Sequence, residues 1–208
     1  MLGIHDFGVF LATGIVLNLT PGPDTFYILG RSMAQGRSAG IASVLGISTG
    51  SLIHTFAAAL GLSALLAASA SAFLAIKFAG AAYLVYLGFR MLFARASAAT
   101  IPKSFSTSGF LVVYRQGLLT NILNPKVALF FLAFVPQFIA AGSSSKFAAF
   151  LVLGACFTIT GTLWCLCLAW FSALLVDRLR RRTALVQVLN RTAGALFVFL
   201  GLRLAASK

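Results

Sequence analysis

Six long apolar stretches divide the chain, separated by short polar segments. They run from Phe7 to Leu29, Ala39 to Leu66, Phe73 to Phe93, Leu111 to Phe138, Phe147 to Val176, and Ala184 to Leu204. Each is apolar over a membrane's thickness, for which a helix needs about 20 residues. None alternates apolar and polar positions as a barrel strand does. A segment in lipid must satisfy its own backbone, so each stretch is predicted to be a helix. The longest polar segment, residues 94–109 (ARASAATIPKSFSTSG), falls near the midpoint. It separates residues 1–93 from residues 110–208 and reads as a linker. The expected fold class is an all-α polytopic membrane protein with six transmembrane helices.

Composition strengthens this picture. Hydrophobic residues make up 60% of the chain and charged residues 9%, whereas a soluble domain carries about 25% charged residues. The mean hydropathy is +1.00. So few charges cannot cover a water-facing surface, and the lipid bilayer must be the chain's main partner. At 208 residues the spans leave room for short loops and for no large soluble module. The net charge of +13 does not indicate nucleic acid, because it has no aromatic-rich soluble surface to sit on. It collects in alternate loops: Arg31 and Arg37; Arg90, Arg95, Lys103 and Arg115; and Arg178, Arg180, Arg181, Arg182 and Arg191. By the positive-inside rule these loops face the cytoplasm, and both termini lie outside. The first apolar stretch lacks a basic flank and holds Pro21, Pro23 and Asp24, so it is expected to be retained rather than cleaved. Cys156, Cys165 and Cys167 form no CxxC pair and read as small apolar helix residues.

The two halves repeat one another. Gly14-x-x-x-Asn18 and a following Pro21 recur as Gly117-x-x-x-Asn121 and Pro125. Ser-Ala-Leu-Leu occurs at 63–66 and at 172–175. Lys77-Phe-Ala-Gly80 with Tyr86-Leu-Gly-Phe-Arg90 recurs as Arg191-Thr-Ala-Gly194 with Phe199-Leu-Gly-Leu-Arg203. Three spans per repeat are an odd number, so the second copy enters from the opposite side. Two inverted three-helix repeats are a transporter architecture, with the substrate site expected near the midplane where broken helices meet.

Both breaks are legible. In Asn18-Leu-Thr20-Pro21-Gly22-Pro23-Asp24, two prolines without N–H groups flank a glycine open to unusual dihedrals, and the helix must kink or unwind. Asp24 is the sole acid inside any predicted span. An ionised group at membrane depth costs about 2.5–3.5 kcal/mol on insertion scales. Asn124-Pro125-Lys126 breaks the fourth span and places a base there. An acid and a base facing each other suit a zwitterion; the bland alternative is an ion pair that only holds the halves together. The candidate substrate-binding residues are therefore Asn18, Thr20, Pro21, Gly22, Pro23, Asp24, Asn121, Asn124, Pro125 and Lys126. His54 reads as a helix-packing histidine or a proton relay, and Gln137 as an interface or pathway residue. Gly46, Gly50 and Gly61 are expected to permit close helix contact. Lys77 and Arg203 are expected to snorkel.

These residues resemble the lysine exporter superfamily of bacterial amino acid efflux proteins, and most of all its homoserine/threonine exporter branch. The resemblance rests on Thr-Pro-Gly-Pro-Asp at 20–24, Gly36-Arg37-x-x-Gly40, Leu-Gly-Leu-Ser-Ala-Leu-Leu ending the second span, and Asn-Pro-Lys-x-x-Leu-Phe-Phe-Leu-Ala-Phe-x-Pro-Gln-Phe at 124–138. It implies a multi-pass inner-membrane exporter of amino acids or close derivatives, driven by proton exchange and homodimeric. It implies no cofactor and supplies no particular solute. Export of a metal ion or another small solute is the alternative, disfavoured by the absence of a His/Cys/carboxylate cluster in the spans. A thiol-disulfide carrier would need cysteines on the first and fourth spans, and an intramembrane hydrolase a Ser or Asp dyad with its base; neither is present.

Overall fold

The computed structural model describes residues 2–68, 70–93, 106–140, 142–172 and 183–206. Most of the linker (94–105) and the Arg178–Arg182 run lie outside the described residues, as does 173–175 of the second Ser-Ala-Leu-Leu copy. The described residues are helical apart from short connections; the one β-bridge among them joins Ile4 to Ile139.

The first predicted span is two helices, α1 (Phe7–Leu19) and α2 (Pro23–Gln35). The next two are single helices, α3 (Arg37–Ala68) and α4 (Ala70–Leu92). The fourth is α5 (Phe110–Ile122) followed by α6 (Pro125–Leu129), which continues as a π turn (Phe130–Phe134) and a 3-10 turn (Val135–Phe138). The last two are α7 (Lys146–Trp170) and α8 (Thr183–Ala206). Among the described residues two helices, Arg37–Gly61 and Lys146–Trp170, are long and apolar enough to cross a membrane. Phe110–Ile122 with Pro125–Phe138, bent by 47°, make a third if the pair is one span.

The breaks have local causes. Pro23 and Pro125 each occupy the first turn of the following helix, where a missing N–H is harmless, and they stop the helix before them. Pro136 removes a donor from the end of the fourth span, and the backbone there widens to a π turn and tightens to 3-10. The Gln137 side chain donates to the Ala133 carbonyl at 3.0 Å, standing in for a lost backbone donor.

Small residues set the packing, as expected where lipid removes the hydrophobic drive between helices. α3 and α5 run side by side in the same direction; the Gly46 Cα abuts the Tyr114 carbonyl, and a Cβ on Gly117 would stand 2.8 Å from the Ser43 carbonyl. α1 and α7 do likewise: a Cβ on Gly14 would meet Phe157 at 3.4 Å, and one on Gly161 would meet Asn18 at 3.1 Å. α3 and α7 run in opposite directions, joined by Ser48–Thr162 and Ser51–Thr158 hydroxyl contacts at 2.7 and 3.0 Å. α4 and α8 also oppose each other, with Gly88 on Gly194 and Gly201 on Ala81. Gly61 has no described atom within 4 Å, so its expected contact role does not hold there. The largest buried cluster is aromatic, with Phe10, Phe130, Phe134 and Phe138 at its centre.

Candidate functional site

The two breaks reach into each other. Lys126, in the first turn of α6, sends its ammonium to the end of α1, where it donates to the Leu17 and Thr20 carbonyls at 3.1 and 2.9 Å. Pro21 offers the Leu17 carbonyl no N–H, leaving it only the Thr20 N–H at 3.2 Å, and the Thr20 carbonyl lies just past the end of α1. Asp24, in the first turn of α2, accepts from the Asn121 side chain near the end of α5 at 2.8 Å. Each break thus supplies the group that satisfies the other. Gly22 is extended (φ −159°), a conformation any residue adopts. Its contribution is space: a Cβ there would stand 3.3 Å from the Lys126 ammonium.

Asp24 and Lys126 line one cavity, together with Asn18, Asn121 and the hydroxyls of Ser51 and Thr158. They do not bond each other; the direct ion pairs among the described residues are those of Asp6 with His5 and Arg203. The direct ion pair of the bland alternative does not form between them. Asp24 Oδ1 and Asn121 Oδ1 are buried acceptors without a hydrogen-bond donor. Asn124 approaches Asp24, but its amide nitrogen falls short of hydrogen-bond geometry. Lys126 uses two of its three N–H bonds on carbonyls, leaving one. The cavity has about 40 Å³ open to the centres of water molecules, room for about three waters. That is less than a whole amino acid, so the walls must part to admit one.

The other expected residues hold this arrangement. Asn18 donates to Thr160 Oγ1 at 3.3 Å. Thr20 is buried and its hydroxyl donates to the Val16 carbonyl at 2.7 Å. Asn124 caps α6, accepting from the Lys126 backbone N–H at 3.1 Å, and Pro125 follows it. His54 Nε2 lies 3.2 Å from the Asn121 carbonyl and its ring stacks on Phe131. Lys77 is buried with its ammonium 5.4 Å from the Phe78 ring. Arg203 instead reaches Asp6 at 3.3 Å.

Two groups escaped the sequence reading. The hydroxyl seam Ser48, Ser51, Thr158 and Thr162 borders the cavity. Its signal was available, since 48/51 and 158/162 keep helical spacing within apolar stretches. The second is Arg31, expected in a basic loop. It lies instead within α2, 3% exposed. Its guanidinium donates to Gln35, to Gln116 of α5 and to the Ser106 carbonyl. Tyr27, beneath it, donates to the Val113 carbonyl at 2.8 Å. The break at Pro21–Pro23 restarts the helix, which carries Arg31 past the apolar stretch and back against α5.

The family model described as LysE type translocator matches residues 15–208. An uncharacterized membrane protein of Pseudomonas aeruginosa is 32% identical over 99% of this chain and 97% of its own length. An uncharacterized membrane protein of Bacillus subtilis is 29% identical over 98% of this chain and 100% of its own. The leucine efflux protein of Salmonella typhimurium is 27% identical over 98% of this chain and 96% of its own. No solved structure matches.

Proposed function

The chain belongs to the LysE type translocator family, and on that premise we propose that it exports amino acids or close derivatives across the bacterial inner membrane, in exchange for protons, from a site between the two broken helices. One observation carries this reading: an acid and a base line one cavity yet are not consumed by each other. Asp24 Oδ1 offers an acceptor for an ammonium, and the remaining Lys126 N–H offers a donor for a carboxylate. A leucine efflux protein among the relatives is in keeping with such a cargo.

The pattern of close contacts supports six spans in two inverted repeats. Asn18 lies against Gly161 of α7, and its counterpart Asn121 against Gly50 of α3. Exchanging the halves turns one contact into the other. The α3–α7 and α4–α8 contacts each map onto themselves. The reciprocal reach of Lys126 and Asp24 obeys the same exchange.

In this mechanism the repeats rock against each other and expose the cavity to each side in turn. Two closures flank the site. Tyr27, Arg31 and Gln116 form a polar one at the end with the basic loops. Phe10, Phe134 and Phe138 form an aromatic one at the other end, with ring centroids 4.7–6.4 Å apart. A proton on Asp24 removes the charge that holds an ammonium, so proton entry and substrate release are coupled. The test is efflux from cells loaded with a panel of labelled amino acids, with expressing and empty strains compared at imposed pH gradients. Faster, gradient-dependent efflux of at least one amino acid is expected. Equal efflux from both strains for the whole panel overturns the proposal.

A further inference from the structure

We infer that the α7 face formed by Phe157, Gly161 and Trp164, closed by Ile47 and Val127, is the compartment for the solute's side chain, and that it selects uncharged aliphatic amino acids. The inference rests on the zwitterion site proposed above and adds its specificity. Phe157, Gly161 and Trp164 follow one another at i, i+4 and i+7, so they share one helix face, and all three line the cavity. Gly161 between the two rings is faced by the Asn18 side chain, which a Cβ there would meet at 3.1 Å. Phe157 is held in place. Its ring is 5% exposed, stacked on Phe130 at 4.3 Å and set edge-on to Phe131 at 5.5 Å. Ile47 and Val127 supply aliphatic walls from α3 and α6, both buried.

Charge on the cavity decides the class. Asp24 and Lys126 are the only charged side chains that line it among the described residues, and an α-ammonium and an α-carboxylate use both. A basic side chain would lack a second acid, and an acidic one a second base. Either would lie uncompensated in a low-dielectric interior, where an unpaired charge is strongly disfavoured. The bordering hydroxyls bond in pairs, Ser48 with Thr162 and Ser51 with Thr158, and they carry no charge to offset a charged side chain.

The test uses the full-length protein in proteoliposomes loaded with labelled leucine, with unlabelled amino acids outside driving exchange. Leucine, isoleucine and valine should compete at least tenfold better than lysine or glutamate. Ile47→Phe, which narrows the compartment, should shift competition at least fivefold from leucine towards alanine. Trp164→Leu, which opens the compartment, should raise competition by phenylalanine. Lysine or glutamate competing as well as leucine overturns the inference while leaving the exporter reading intact. An alanine-to-leucine ratio unchanged in both variants does the same. No exchange of leucine, with exchange from liposomes loaded in parallel with labelled lysine or glutamate, overturns this inference alone; exchange of none of the three overturns the exporter reading as well.

Discussion

Asp24 and Lys126 hold equivalent places, each the second residue of a helix that begins with proline, but they are not equivalent energetically. A carboxylate at a helix N-terminus meets a favourable dipole, whereas a lysine there meets an unfavourable one. Lys126 overcomes this by reaching two carbonyls at the end of α1. Its loss should therefore be felt in stability. In Lys126→Met the Thr20 carbonyl would be left without a donor at a cost of about 1–3 kcal/mol, while Leu17 keeps the Thr20 N–H, and the melting temperature in detergent should fall by several degrees together with transport. Lys126→Arg should recover much of the stability. Asp24→Asn keeps an oxygen that can accept from Asn121, so it should melt close to wild type. Without the charge that holds an ammonium it should export about 10- to 100-fold more slowly, the equivalent of about 1.4–2.8 kcal/mol, and its residual rate should ignore the pH gradient. Wild-type rate and pH dependence in Asp24→Asn, at matched membrane abundance, would make Asp24 a structural residue only.

At the scale of elements, proline and glycine do different jobs. Prolines end helices at chosen depths, while glycines let intact helices touch. The contrast between Gly46 and Gly61 makes this measurable. A Cβ on Gly46 would collide with the Tyr114 backbone of α5, which cannot rotate away, whereas Gly61 has no described neighbour within 4 Å. Gly46→Ala should destabilise by about 1–3 kcal/mol or more through overpacking. Gly61→Ala should be neutral or stabilising by up to about 1 kcal/mol through helix propensity. Thermal unfolding of the two purified variants in the same detergent decides it; equal melting temperatures would mean that α3 and α5 are not in the close contact described.

At the scale of the whole molecule, the two closures differ in chemistry. Opening the polar one exchanges hydrogen bonds with protein for hydrogen bonds with water, at a net loss of about 0.5–1.5 kcal/mol each. Opening the aromatic one exposes buried rings, at about 25 cal/mol per Å² of apolar surface. Cys165 lines the cavity between them and is a natural reporter. With Cys156 and Cys167 replaced by serine, Arg31→Gln should speed labelling of Cys165 from the cytoplasm. Phe138→Ala should speed it from outside. Labelling that rises from the same side in both variants would contradict two opposed closures. The orientation is tested separately: a cysteine at Lys103 should be shielded from an impermeant external reagent, and one at Ser144 should react.

By itself the sequence determined the class of molecule, the helix boundaries to within a few residues over most of the chain, and both breaks. These follow from local physics: apolar length against membrane thickness, and prolines that no α-helix continues through. The ten candidate residues were chosen for the same reason, since each is a proline, a glycine, or a polar group within four residues of one. Only the tertiary structure decided what those residues bond. Charge alone left open whether Asp24 and Lys126 pair directly or face each other across a site, and in the structure carbonyls at the end of α1 take the ammonium. Arg31 read as a loop anchor because sequence shows composition, while the angle at a break decides where the next helix points. The hydroxyl seam and the Phe157–Gly161–Trp164 face likewise became a lining when α3 and α7 were laid against each other. Which faces of two apolar helices meet depends on small residues matched across the contact, and that match exists only between helices distant in the chain.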